Sequence, residues 1–160
     1  MMFRKMRRFK QQLLDEECIK ILNNNTAGVL SVVGDDGYPY GVPLSYAYND
    51  GKLFFHSAFE GHKVDAIKNN PKVSFCVIDR DDLHPAEYTT YYRSVIAFGR
   101  AKLVAVNDDK MLGLDLLSDK YCHGEGDKEK EIHNGIDRLV VIEVEIEYLT
   151  GKCAKELIKR

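Results

Sequence analysis

The stretch from Gly28 to Ala58 admits few folds. Three runs of alternating or β-branched residues follow one another, with only Asp35-Asp36-Gly37 and Asn49-Asp50-Gly51 as connections. Connections this short join antiparallel neighbours, because a parallel pair needs a crossover of roughly a dozen residues. GVLSVV, YGVPLSYAY and KLFFHSA therefore read as three successive strands. KVSFCVID, the long YYRSVIAFGRAKLVAV and the final RLVVIEVEIEYLTGK add more, with Gly99 predicting a bulge or corner in the long run. The last strand alternates Ile142, Val144, Ile146 and Tyr148 on one face with Glu143, Glu145 and Glu147 on the other. About six antiparallel strands with few helices predict a mainly β chain: a small, closed or nearly closed β-barrel with peripheral α-helices.

Three helices fit around that barrel. Asp15 is placed to cap one running to about Leu22, with Cys18, Ile19 and Leu22 on one face. GHKVDAIKNNP predicts a second, short helix with Val64 and Ile67 inward and Asn69, Asn70 and Pro71 at its end. Asn107 or Asp108 caps the third, which aligns Met111, Leu114, Leu117 and Tyr121. Residues 122–136 read as a polar surface loop and residues 1–12 as a basic arm, a solvated tail on a single domain spanning 1–160.

At 160 residues, 44% of them hydrophobic, the chain suits one domain with a real core. No apolar run has the roughly 18 residues of a membrane span, and the first residues lack the apolar stretch of a secretory signal. A cytoplasmic protein without membrane attachment is expected. Five of the 23 basic residues and none of the 25 acidic ones fall in the first ten, so the remainder is acidic and no nucleic-acid surface is expected. The four cysteines form no CxxC pair, which predicts free thiols rather than zinc or a dithiol centre. Cys18 and Cys76 lie in apolar segments and read as core, whereas Cys122 and Cys153 lie near polar loops and read as exposed.

Chemistry concentrates in two neighbouring segments. In the second strand Tyr40, Val42, Leu44, Tyr46 and Tyr48 point one way and Gly41, Pro43, Ser45 and Ala47 the other, so one face is nearly bare. A bare face lets a flat ligand approach the backbone; equally, it lets a helix pack there. Pro43 marks a bulge or a strand edge. The third strand ends in His56, Ser57 and Ala58, and Gly61, His62 and Lys63 open a helix a few residues on. Free first-turn amides, a hydroxyl and an ammonium at such a junction suit a phosphate; the alternative is a solvated lysine and an ordinary surface histidine. No metal site is expected, because no carboxylate or thiol completes a ligand set around His56 and His62. GxSxG, GxGxxG and phosphate-loop motifs are absent.

Taken in order, GDDGYPYGVPLSYAY, LFFHSAFEGHKVDAI, NPKVSFCVID, TTYYRSVIAFGRA and LTGK resemble the nitroimidazole-resistance (Nim-type) branch of the pyridoxamine 5′-phosphate oxidase-like flavoproteins. The resemblance implies a six-stranded split β-barrel homodimer with FMN at the subunit interface. It implies that Pro43, Leu44 and Ser45 run beside the isoalloxazine ring, and that His56, Ser57, Ala58, His62 and Lys63 accompany the ribityl chain and phosphate. Arg93 and Ser94 are placed near the partner's cofactor, a solvated salt bridge being the alternative for Arg93. The chain lacks tryptophan, a Ser-Arg-Lys phosphate motif and a C-terminal Arg-x-His pair, which argues against vitamin B6 oxidation. The expected function is FMN-dependent reduction of a small molecule, nitro compounds included, with His56 the candidate proton donor. A protein that binds flavin (FMN or FAD) or haem without turnover is the rival, and for His56 a structural role inside the barrel.

Overall fold

The structure, a computed structural model, describes residues 3–104, 108–122, 126, 130 and 138–158. Seven strands form one antiparallel sheet: β1 (Ala27–Val33), β2 (Pro39–Ser45), β3 (Ala47–Asn49), β4 (Lys52–Ser57), β5 (Lys72–His84), β6 (Thr89–Val104) and β7 (Val140–Cys153), in the order β2-β1-β5-β6-β7-β4-β3. β2 and β3 stand at opposite edges of this sheet, yet Tyr46 alone separates them in the chain. The sheet must therefore roll until its edges nearly meet. The chain, not a ladder, closes this split barrel.

Seven strands rather than six arise at Tyr46, where the YGVPLSYAY run breaks in two. Its side chain is fully buried, its hydroxyl donates to Leu22 O at 2.7 Å, and its ring meets Phe75 edge-on at 4.8 Å. Phe55 in turn meets Phe75 at 5.1 Å. Leu30, Val32, Leu53, Val77, Val95 and Ile142 complete the interior from alternate strand positions. Burying each such side chain contributes about 2 kcal/mol.

Two bulges redirect side chains. Between Phe98 and Gly99 the β6–β7 register shifts so that Glu147 has no partner, which confirms the irregularity expected at Gly99. The shift turns Tyr148 to the outer face, against Phe98 and Phe3, instead of leaving it in line with Ile142, Val144 and Ile146. Between Ile78 and Arg80 the β5–β6 register skips Asp79. Beyond it the acidic segment 80–84, whose composition reads as loop, continues as strand to His84, paired with Thr89–Arg93 as a projecting hairpin. Charged residues persist there because both faces of a two-stranded ribbon meet water.

α1 (Asp15–Asn24), α2 (His62–Asn69) and α3 (Asp108–Cys122) pack around the barrel. Leu14, not Asp15, is the N-cap of α1, and Glu17 accepts its N–H at 3.0 Å. α1 buries Cys18, Ile21 and Leu22, while Ile19 is only half-buried. α3 lays Leu114 against Phe54 and Val141, but Met111 is exposed. Because α3 covers that side of β7, Glu143 is buried and paired with Lys52 at 3.0 Å and Lys102 at 3.2 Å, rather than solvated like Glu145 and Glu147. The basic arm is docked, not a free tail: Phe3 stacks on Tyr148 at 4.8 Å, Gln12 bridges Lys152, and Leu13 N–H donates to Gly151 O at 3.0 Å. Aromatic and amide groups of the arm make these contacts. Most of the 122–136 loop, with His123 and His133, lies outside the described residues.

Among the described residues no helix is long and apolar enough to cross a membrane, and no three His, Cys, Asp or Glu side chains are grouped to hold a metal ion. All four cysteines are free. Cys153 is buried instead of exposed, because the Glu147 bulge sets the facing of the end of β7, and Cys76 is half-buried on the outer face of β5 instead of in the core. Burial pushes the Cys18 thiol up to about 11 and raises those of Cys76 and Cys153. A thiol reagent added to native protein is expected to modify exposed Cys122 first and Cys18 and Cys153 only on unfolding, as peptide mapping would read.

Candidate functional site

β2 is a sheet edge whose small residues face outward. Pro39, Gly41, Pro43 and Ser45 are exposed while Tyr40, Val42 and Leu44 pack toward the core, so the bare face is bare of helices too. Pro43, lacking an N–H, sits opposite Val29 on an edge strand where no outer ladder needs its donor. Leu44 offers the site only its backbone, since its side chain turns inward.

The other wall comes from β4. Ala47 pairs with Phe54 and Tyr48 with Leu53; continuing that register past Tyr46 sets Ser45 against His56 and Leu44 against Ser57. There β2 leaves that register to pair with β1, Ser45 opposite Ala27 and Leu44 opposite Gly28, and no ladder joins β2 to β4. His56 is exposed, its side chain outward, which removes the alternative of a structural histidine inside the barrel. Ser57 is 5% exposed, and its Oγ has no hydrogen-bond partner. A buried hydroxyl left alone costs about 1–3 kcal/mol; among the described residues Gln11 Oε1 and Thr150 Oγ1 are likewise buried without a partner.

Beyond exposed Ala58, Gly61 takes φ +128°, a conformation closed to L side chains, and its carbonyl accepts the N–H groups of Val64 and Asp65 at 2.9 and 3.1 Å. The first amides of α2 have no intrahelical partner. His62 does not project freely: it stacks on Tyr40 at 4.2 Å, with Nε2 3.7 Å from Asp35 Oδ2, and ties α2 to the β1–β2 hairpin. Lys63 is half-buried and forms no ion pair among the described residues. Ser57 Oγ is thus without a hydrogen-bond partner and Lys63 without an ion pair among the described residues, while His62 braces α2 against Tyr40.

Arg93 and Ser94 point to opposite faces of β6. Ser94 lies on the outer face, paired with Ile78 and Lys152; Arg93 turns toward α1, and its Nε donates to Asp79. Sequence reasoning missed the last turn of α3. The Tyr121 hydroxyl accepts the Tyr46 N–H at 2.8 Å and lies within hydrogen-bond reach of the Thr26 and Tyr46 carbonyls, so it pins the corner where the seam opens. Lys120 Nζ sits 4.1 Å over the Tyr46 ring, and burial pushes its amine down to about 8. The unfolded chain then holds this proton up to about 10.5 while the folded one releases it near 8, so stability attributable to Lys120 rises with pH across that window. Lys120→Met is expected to flatten that rise in denaturation curves measured against pH.

A rolled antiparallel sheet whose two edges, β2 and β3, are joined by the chain at Tyr46 and not by a ladder is a split barrel. The chain belongs to the pyridoxamine 5′-phosphate oxidase family, whose pattern matches residues 15–153. An uncharacterised protein of Rhizobium meliloti is 28% identical over 93% of this chain and 99% of its own length. Among solved structures, an FAD-binding protein of Mesorhizobium loti is 28% identical, covering 90% of this chain and 96% of that one, with a TM-score of 0.67. A candidate 5-nitroimidazole antibiotic resistance protein of Bacteroides thetaiotaomicron shares the fold at 20% identity, covering 89% and 86%, with a TM-score of 0.77. The resemblance read from the sequence holds at the level of family and fold.

Proposed function

We propose that the protein is a homodimeric, cytoplasmic flavoprotein that binds FMN in the seam between β2 and the β4–α2 junction and uses it to reduce a small molecule, nitro compounds included. The observation that carries this reading is the Ser57 hydroxyl, buried and unpartnered at the end of β4, ahead of α2 in the chain. In this reading Ser57, Lys63 and the first amides of α2 hold the phosphate, and Pro43, Leu44 and Ser45 flank the ring through backbone and small side chains. Bound flavin would supply hydride or electron transfer; the protein orients it, excludes water and tunes it. His56 stands at the seam to hold or deliver a proton. An unchanged pH dependence of turnover in His56→Ala, with flavin still bound, would remove that role.

The dimer rests on the outer face of the sheet. Val29 and Ile96 there are each 37% exposed and Ile78 65%, and Phe98 and Tyr148 flank them. A second copy covering this apolar face would also close the bare strand and bring its Ser94 toward the cofactor.

The test is an absorption spectrum of protein purified without added cofactor, with the pigment released and identified, followed by NADH and NADPH addition and a solution mass. Flavin bands with FMN in the extract, bleaching by donor, and twice the chain mass are expected. Colourless protein that fails to take up added FMN would overturn the reading. Bound flavin that no donor reduces would favour a carrier, and haem bands would replace the cofactor.

A further inference from the structure

A second concavity lies on the face of β6 opposite Ser94, between α1 and the β5–β6–β7 part of the sheet. It has a volume of about 230 Å³, below the roughly 300–1,000 Å³ that hold drug-sized ligands, so its occupant is small. Glu17 and Lys20 come from α1, Asp79 and Arg93 from the sheet, and Leu13, Ile21 and Leu157 supply an apolar wall.

Sorting the four charges by what each already bonds decides the ligand's sign. Asp79 is satisfied twice, accepting from Arg93 Nε and from Asn25 Nδ2, the latter at 2.8 Å. Glu17 accepts the Leu14 N–H at 3.0 Å. Asp79 is therefore paired, and Glu17 has one oxygen engaged while keeping its charge, whereas Lys20 has no ion pair among the described residues. Arg93 gives Asp79 only its Nε edge, so the terminal N–H groups of the planar fork remain for another acceptor. The bulge produces this arrangement: Asp79 is the residue skipped between Ile78 and Arg80, and an extra residue in a strand re-aims its side chain. Asn25, just past α1, locks the carboxylate, and the carboxylate locks the guanidinium.

An oriented guanidinium beside an uncommitted ammonium selects an anion. A fork matches a carboxylate geometrically, and one negative charge is repelled less than a phosphate dianion by the neighbouring Asp79 and Glu17. The geometry points to a second binding site, independent of the flavin seam, for a small monocarboxylate whose head lies on Arg93 and Lys20 and whose short apolar tail lies against Leu13, Ile21 and Leu157.

The experiment is a titration of the full chain, as purified, followed by proton–nitrogen NMR, with isovalerate, its neutral isostere isovaleramide and inorganic phosphate as probes. Isovalerate should give saturable shifts centred on Lys20, Ile21, Asn24, Arg93 and Leu157. Isovaleramide should bind at least about tenfold more weakly, phosphate likewise, and Lys20→Gln should weaken isovalerate about tenfold. Lys20 is exposed, so this variant keeps the fold and the Asp79–Arg93 pair. No saturable shift at about 50 mM, the weakest binding such a titration reads, overturns the proposal. Shifts centred elsewhere, equal binding of amide or phosphate, or an unaltered Lys20→Gln titration overturn it too.

Discussion

Replacing Gly99 by alanine is expected to destabilise the fold by about 3 kcal/mol, the upper end of the usual cost of overpacking. An added Cβ would press inside van der Waals contact of the Glu145 carbonyl oxygen and lie 2.9 Å from Val144 Cγ1. The obstacle is backbone in the middle of the long ladder between β6 and β7, and cannot rotate away as a side-chain tip would. Gly99 also sits where Glu147 is skipped, so the strain falls on the bulge that turns Tyr148 outward. Relaxing it would disturb Phe3 and the docked arm. Denaturant midpoints would read the effect, with Gly37→Ala for comparison: its Cβ would meet nothing within 4 Å, leaving only the backbone cost of φ +78°. A Gly99→Ala protein within about 0.5 kcal/mol of the parent, the range of ordinary surface substitutions, would show that β6 and β7 do not pair in this register.

Ser57→Ala is expected to move stability and affinity in opposite directions. Without cofactor, removing a buried hydroxyl that bonds nothing should stabilise the protein by about 1 kcal/mol. With FMN as titrant, the lost phosphate hydrogen bond should weaken binding about tenfold. Lys63→Ala should weaken it by a similar factor, and more at low salt than at high salt, since a half-exposed ammonium is screened by ions. Flavin fluorescence quenching reads the affinity and thermal unfolding of the cofactor-free protein reads the stability. A destabilised Ser57→Ala would mean that the hydroxyl has a partner in the folded chain. An unaltered Kd in both variants would remove the phosphate from this junction.

The same contrast between local and distant causes runs through the fold. Asp35-Asp36-Gly37 and Asn49-Asp50-Gly51 were legible as turns because their chemistry is their own, and Gly37 and Gly51 do take positive φ. α2 was legible from Val64 and Ile67 three apart, both buried. The continuation of β5 to His84 was not, because Asp81 and Asp82 look like loop until Tyr91 and Tyr92 are paired with them. Likewise nothing near Cys153 or Tyr148 announces that a bulge at Glu147 reverses which face each one takes.

By itself, the amino-acid order determined the β1–β2 and β3–β4 hairpins, the bare face of β2 and the nearness of a hydroxyl and an ammonium at Ser57 and Lys63, since each depends on period-two alternation or on residues close in the chain. Only the tertiary structure decided that β2 and β4 diverge at Tyr46, that Ser57 is buried without a partner, that His62 is spent on Tyr40, and that Arg93 turns to α1 while Ser94 stays outward. Those outcomes depend on strand register and sheet closure, and one skipped residue, Asp79 or Glu147, changes the facing of everything beyond it.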